Sequence, residues 1–85
     1  MKILFGDRFQ KKFKILPVKI QKQFEKRISL FMENHSHPLL KAHALKGYLT
    51  GYRAFSVTGD YRVIYRLIDR ETVKLVDMGT HSQIY

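Results

Sequence analysis

Apolar residues recur at helical spacing in the first part of the chain and at strand spacing in the second, so the sequence divides by pattern before any motif is considered. After Pro17, the residues Ile20, Phe24, Ile28 and Phe31 follow one another at spacings of four, four and three. That places them on one stripe of an α-helix, and the stripe must face a core. Ahead of it, Phe9, Phe13 and Leu16 mark the apolar face of a first helix, for which Asp7 is the expected N-cap. Pro17 interrupts that helix at Leu16 yet is acceptable in the first turn of the next one, so a helical hairpin is predicted. The opening KILF is a short apolar run suited to a strand, and NHSHP from Asn34 to Pro38 reads as a loop that ends the helical region.

Beyond that loop, β-branched and aromatic residues become dense: Tyr48, Tyr52, Phe55, Val57, Tyr61, Val63, Ile64, Tyr65 and then Val73 to Val76. TGD at 58–60 and DRET at 69–72 separate these runs and have the length and residue types of hairpin turns, which predicts a three-stranded antiparallel meander. Within it Val63, Tyr65 and Leu67 alternate with Arg62, Ile64 and Arg66, so one strand presents guanidinium groups opposite part of the core. The expected fold class is α+β, with two helices on one face of the sheet and the other face free for a ligand.

Eighty-five residues allow one domain, residues 1–85, with one modest core. No cysteine is present, which excludes disulfides, thiolate metal sites and a cysteine nucleophile. No apolar run approaches the ~20 residues that span a bilayer, no signal peptide opens the chain, and the expected compartment is the cytoplasm with no membrane partner. Sixteen Lys and Arg against seven Asp and Glu leave a net charge of +9, which points to an acidic partner: nucleic acid or an acidic protein. Charge alone does not distinguish this from a merely solubilising surface, and Lys19, Lys22, Lys26 and Arg27 read first as a solvated helix face.

Metal-free RNA cleavage needs a base for the ribose 2′-OH, an acid for the leaving oxygen and cations for the phosphorane-like transition state, roles that histidine and arginine fill best near neutral pH. Of the four histidines, His35 and His37 fall in the loop, and their spacing offers no third or fourth metal ligand. His43 reads equally as a functional residue and as a polar residue before the sheet. His81 ends the last strand after Gly79 and Thr80, where an exposed imidazole is well placed beside a groove. Asp60 reads as a turn former or as part of a site. Arg53, Arg62, Arg66 and Lys46 are the candidate phosphate binders, although the three arginines also read as strand residues paired with Glu71 or Asp77. Tyr85 offers a ring for stacking or a phenol for a phosphate.

Four pieces occur in order: AHALKG ahead of the sheet, GYR opening a strand, DYRVIYRL in the next, and GTHSQIY at the end. Residues 45–85, which carry three of them, resemble the C-terminal half of the RelE/ParE toxin superfamily, in particular its YafQ-like branch, and the helical hairpin fits as well. The resemblance implies two N-terminal helices against an antiparallel sheet of about four strands, to which KILF supplies a strand. It implies a type II toxin that cleaves mRNA in the ribosomal A site without metal or cofactor and is held inactive by an acidic antitoxin in a hetero-oligomer. His43, Asp60 and His81 fall at that branch's acid–base positions, and Tyr85 at its terminal aromatic. Ser56 stands where the branch has a histidine. Gyrase-inhibiting ParE-like toxins of the same superfamily are the competing expectation, which the histidines disfavour.

Overall fold

Pro17 separates the two helices as the pattern requires, one position earlier than expected: it caps the second helix instead of lying in its first turn. In the computed structural model, which describes residues 1–85, α1 runs Asp7–Lys14 and α2 runs Val18–Glu33. Asp7 begins α1 instead of capping it, and Gly6 is the N-cap. The carboxylate still lies in the first turn, where the helix dipole favours it. Gly6 is required by a close approach, because a Cβ there would stand 2.8 Å from the Leu75 carbonyl oxygen.

The helical stripes close the core through aromatic rings. Phe24 lies between Phe9 and Phe13, with centroids 5.3 and 5.2 Å apart, and Phe31 packs on Phe55 and Tyr65, each at 5.0 Å. Phe9, Phe24 and Phe31 are buried, together with Val63, Leu75 and Met78 from the sheet.

The sheet has five strands, not about four, and is mixed, not antiparallel. They are β1 (Lys2–Phe5), β2 (His43–Ala44), β3 (Arg53–Ser56), β4 (Tyr61–Asp69) and β5 (Thr72–Thr80), in the order β1-β5-β4-β3-β2. The β3-β4-β5 meander and both turns are as predicted. KILF is the source of the parallel pairing: Ile3 lies opposite Val73 and Phe5 opposite Leu75. The two-residue strand β2 is too short to leave a periodic signal.

Register sorts the residues by face, since cross-strand partners point to the same side. Phe55, Val63 and Met78 form one row towards the helices, and Arg53 and Tyr65 pair on that same side. His43, Ala54, Ile64 and Asp77 form a row on the other face, next to a row of Ser56, Arg62 and Gly79. Val76 is an extra residue on β5, between the partners of Ile64 and Tyr65.

This second face is not bare. Tyr48 and Tyr52, expected in strands, lie in a 45–52 loop that includes a 3-10 turn at Gly47–Leu49 and is closed by a Leu45 N–H bond to the Tyr52 carbonyl at 2.9 Å. Gly47 and Gly51 hold φ angles of 68° and 97°, which only glycine adopts without strain. The loop and a C-terminal helix, α3 (His81–Ile84), flank a groove of about 480 Å³ over the buried Ile64.

Candidate functional site

His81 is the first residue of α3, just past the strand end expected of it, and the sequence around it explains the seat. Thr80 caps the helix, its N–H donating to Gln83 Oε1 at 2.9 Å in a capping box. Gly79 lets the helix fold back on β5, because a Cβ would lie 2.9 Å from Gln83 Oε1 and 3.1 Å from Ile84 Cγ2. The His81 N–H donates to the Asp60 carbonyl at 3.2 Å, so the end of β5 and the 58–60 turn are joined at the two residues the sequence singled out. The His81 side chain is exposed and meets the Tyr85 ring edge-on, with centroids 4.6 Å apart.

Arg62 completes this corner. Its Nη1 donates to the carbonyls of Thr58 and Gly59, both at 3.0 Å, and so braces the turn that carries Asp60. The Thr58 hydroxyl accepts from the Asp60 and Tyr61 N–H groups at 3.2 and 3.0 Å, which fixes the turn from inside. Burial pushes the Tyr85 phenol above its usual value of 10.0, and the neighbouring Arg62 charge opposes that shift. The shift moves ionisation farther from neutral pH, so the phenol keeps the proton it could donate.

His43 lies on the same face at the sheet edge, opposite Ala54. Its Nδ1 is 3.0 Å from the Lys41 carbonyl, which can only accept. The ring proton of the neutral imidazole is thereby assigned to Nδ1, which leaves Nε2 as a free acceptor. Ser56, in the neighbouring row, is buried and brings no imidazole to the face.

The structure does not bring all the candidate cations to this site. Arg53 is on the opposite face of the sheet, where its Nε donates to the Tyr65 hydroxyl at 3.3 Å. Arg66 shares the face of Arg62 but lies about 13 Å farther along β4 at strand rise, across from Lys74. Lys46 is exposed at the start of the 45–52 loop. None of the three arginines pairs with Glu71 or Asp77: Asp77 is held instead by Lys12 at 2.7 Å and Arg8 at 3.3 Å. Tyr48, Tyr52 and Arg8 line the groove beside Tyr85, a role that reading the tyrosines as strand residues concealed.

The same arrangement of helical hairpin, sheet and C-terminal turn is found in solved toxin structures. YafQ from E. coli strain BL21(DE3) superposes with a TM-score of 0.82 at 22% identity, covering 99% of this chain and 97% of that one. The YoeB/ParE toxin from Agrobacterium tumefaciens gives 0.79 at 18% identity, over 95% and 99%. The E. coli DinJ-YafQ toxin-antitoxin complex gives 0.79 at 23% identity, over 99% and 96%. No curated protein matches the sequence significantly. The fold is thus that of a RelE-like toxin. The family model described as bacterial toxin of type II toxin-antitoxin system, YafQ, matches residues 1–85, and the chain belongs to that family.

Proposed function

We propose that this toxin is a metal-independent endoribonuclease that cuts mRNA on the ribosome, with the catalytic groups on the groove face of the sheet. The observation that carries this reading is the corner at which His81, Tyr85, Arg62 and Asp60 meet through the His81–Asp60 main-chain bond.

In the proposed reaction, His43 Nε2 takes the proton of the ribose 2′-OH, whose oxygen attacks the adjacent phosphorus. The bond from phosphorus to the 5′-oxygen breaks, and His81 delivers a proton to that leaving oxygen, so the products are a 2′,3′-cyclic phosphate and a 5′-hydroxyl. Arg62 offsets the charge that builds on the phosphoryl oxygens, Tyr85 donates a hydrogen bond to them, and Asp60 orients the His81 side of the site. The Nδ1 bond of His43 to Lys41 supports this choice of base, because in the neutral ring it turns the Nε2 lone pair towards the substrate. Arg53 and Arg66 have no part in this step. Lys46, exposed at the start of the 45–52 loop, contributes charge to RNA binding in the same reading.

The net charge of +9 suits both an RNA substrate and an acidic antitoxin, and the relatives solved as DinJ-YafQ and YoeB-YefM complexes support an antitoxin as the cellular partner. The deciding measurement is cleavage of mRNA on translating ribosomes by the wild type, His81→Ala and His43→Ala. Cutting by the wild type and its loss in both variants is expected. Intact mRNA with active wild-type toxin overturns the proposal, and growth arrest through gyrase that persists in His81→Ala replaces it with the ParE-like mode.

A further inference from the structure

A second cleft, of about 550 Å³, opens on the helix side of the sheet, where α2 ends and the chain crosses to β2. Its floor includes Phe31, Tyr65 and Val73, all buried core residues. Around the floor stand Arg53, Lys41, Arg70, His35 and His37, and no aspartate or glutamate lines the cleft. Both ion pairs of the molecule use Asp77, so the three full cations here have no carboxylate partner.

Arg53 is the most informative of them. It is half-buried, and the Tyr65 hydroxyl that receives its Nε proton belongs to a ring wedged between Phe31 at 5.0 Å and Phe55 at 5.8 Å. The guanidinium is thus fixed by the core, while its remaining N–H donors have no protein acceptor. Removing part of a guanidinium from water without a counter-charge is unfavourable, and an incoming anion reverses that cost. His37 is set in the same sense: its Nδ1 accepts from the Leu39 N–H at 3.1 Å, which leaves the ring proton on Nε2 as a donor. Lys41 is the one non-glycine residue at positive φ, 49°, immediately after the 3-10 turn Pro38–Leu40 that turns the chain across the mouth of the cleft.

We propose that this cleft binds a phosphate monoester carried on a flat, largely apolar group, supplied either by a free nucleoside monophosphate or by a phosphorylated nucleic-acid end. Three cations carry more positive charge than one carboxylate offsets, whereas a phosphate dianion brings two negative charges and three terminal oxygens to them and to the imidazole donor. The apolar floor accommodates the rest of the ligand, and the volume is that of a small-molecule site. Because the cleft and the groove lie on opposite faces of the sheet, occupancy of one leaves the other open, and the site stands independently of the cleavage reaction.

The test is an amide NMR titration of the full chain with adenosine 5′-monophosphate, inorganic phosphate, adenosine, and a 5′-phosphorylated tetradeoxynucleotide. Adenosine monophosphate is expected to move the amides of Lys41, Ala42 and Arg70 saturably, inorganic phosphate the same amides more weakly, and adenosine none of them. Arg53→Met, which keeps the apolar stem, weakens binding about tenfold or more. Arg70→Gln, at an exposed position outside the core, weakens it in the same direction, and Lys22→Gln, an equal charge loss elsewhere on α2, leaves it unchanged. If the phosphorylated oligonucleotide moves these amides the ligand is a chain end, and if only the mononucleotide does it is a free nucleotide. Both results uphold the site. The proposal is overturned if adenosine matches its monophosphate, if the shifts centre on His81, if both arginine-site variants bind as the wild type does, or if a short Glu/Leu peptide fills the cleft where phosphate compounds do not.

Discussion

The two faces of the sheet serve different ends although the same strands build both. Towards the helices, Phe9, Phe24, Phe31, Phe55 and Tyr65 pack ring against ring with Val63, Leu75 and Met78 beneath them. On the groove face the buried apolar residues are few, Ala54, Ile64 and Ile84, and their cover is a loop and a four-residue helix. Apolar burial therefore holds the fold mainly from one side, while His43, Arg62, His81 and Tyr85 are exposed or half-buried on the other. Strand alternation makes this division possible within single strands: in β4, Val63 and Arg62 are neighbours in sequence and belong to opposite faces.

Substitutions on the two faces are expected to separate stability from activity. The largest effect is for His81→Ala, which lowers mRNA cleavage about 10²–10⁴-fold in a single-turnover assay while the denaturation midpoint stays within error of the wild type. Phe31→Ala removes the ring shared by Phe55 and Tyr65 and costs about 3–5 kcal/mol in urea unfolding, with activity falling only as the folded fraction falls. Gly79→Ala tests whether the faces are truly separable. Its Cβ meets Gln83 Oε1, which cannot withdraw without losing the Thr80 cap, so a cost of about 1–3 kcal/mol should accompany displacement of His81 and a drop in cleavage.

The smallest effect concerns Tyr85. Its phenol is raised above 10.0 by burial, so the neutral form is favoured in the folded state. That contribution to stability is present below about pH 10 and is lost as the pH climbs through the raised value. Phenolate absorbance should show a Tyr85 component that ionises late and later still in Arg62→Gln, identified as the difference between wild type and Tyr85→Phe.

Much of the helix face was legible in the sequence because its signals are local. The stripe of Ile20, Phe24, Ile28 and Phe31, the break at Pro17 and the turns at 58–60 and 69–72 each need only a few adjacent residues. What was not legible depends on partners distant in sequence. The parallel pairing of KILF with β5 leaves no local trace, and β2 is too short to show one. The register between β3 and β4 decides which arginines share a face, and a slip of one residue would exchange them. One signal was available: Arg53 is two residues from Phe55, so a core position for Phe55 places Arg53 on the helix side. For the groove face, the motif residues His43, Asp60 and His81 were legible, but the main-chain bond that joins the last two was not. Nor was the loop bearing Tyr48 and Tyr52, whose aromatic density resembles that of a strand until Gly47 and Gly51 are recognised at positive φ.

The pairing of β1 with β5 has a kinetic consequence. β5 comes last of the five strands in chain order, yet its neighbours in the sheet are the first strand and the one just before it. Closing residues 2–5 onto 72–75 is a non-local step that pays loop entropy before contacts reward it. The helical hairpin and the β3–β4 hairpin need only local contacts, whereas the sheet core and the seat of His81 need β5. Folding of this toxin should therefore be limited by a late docking event, and chains truncated before β5 should carry no assembled site.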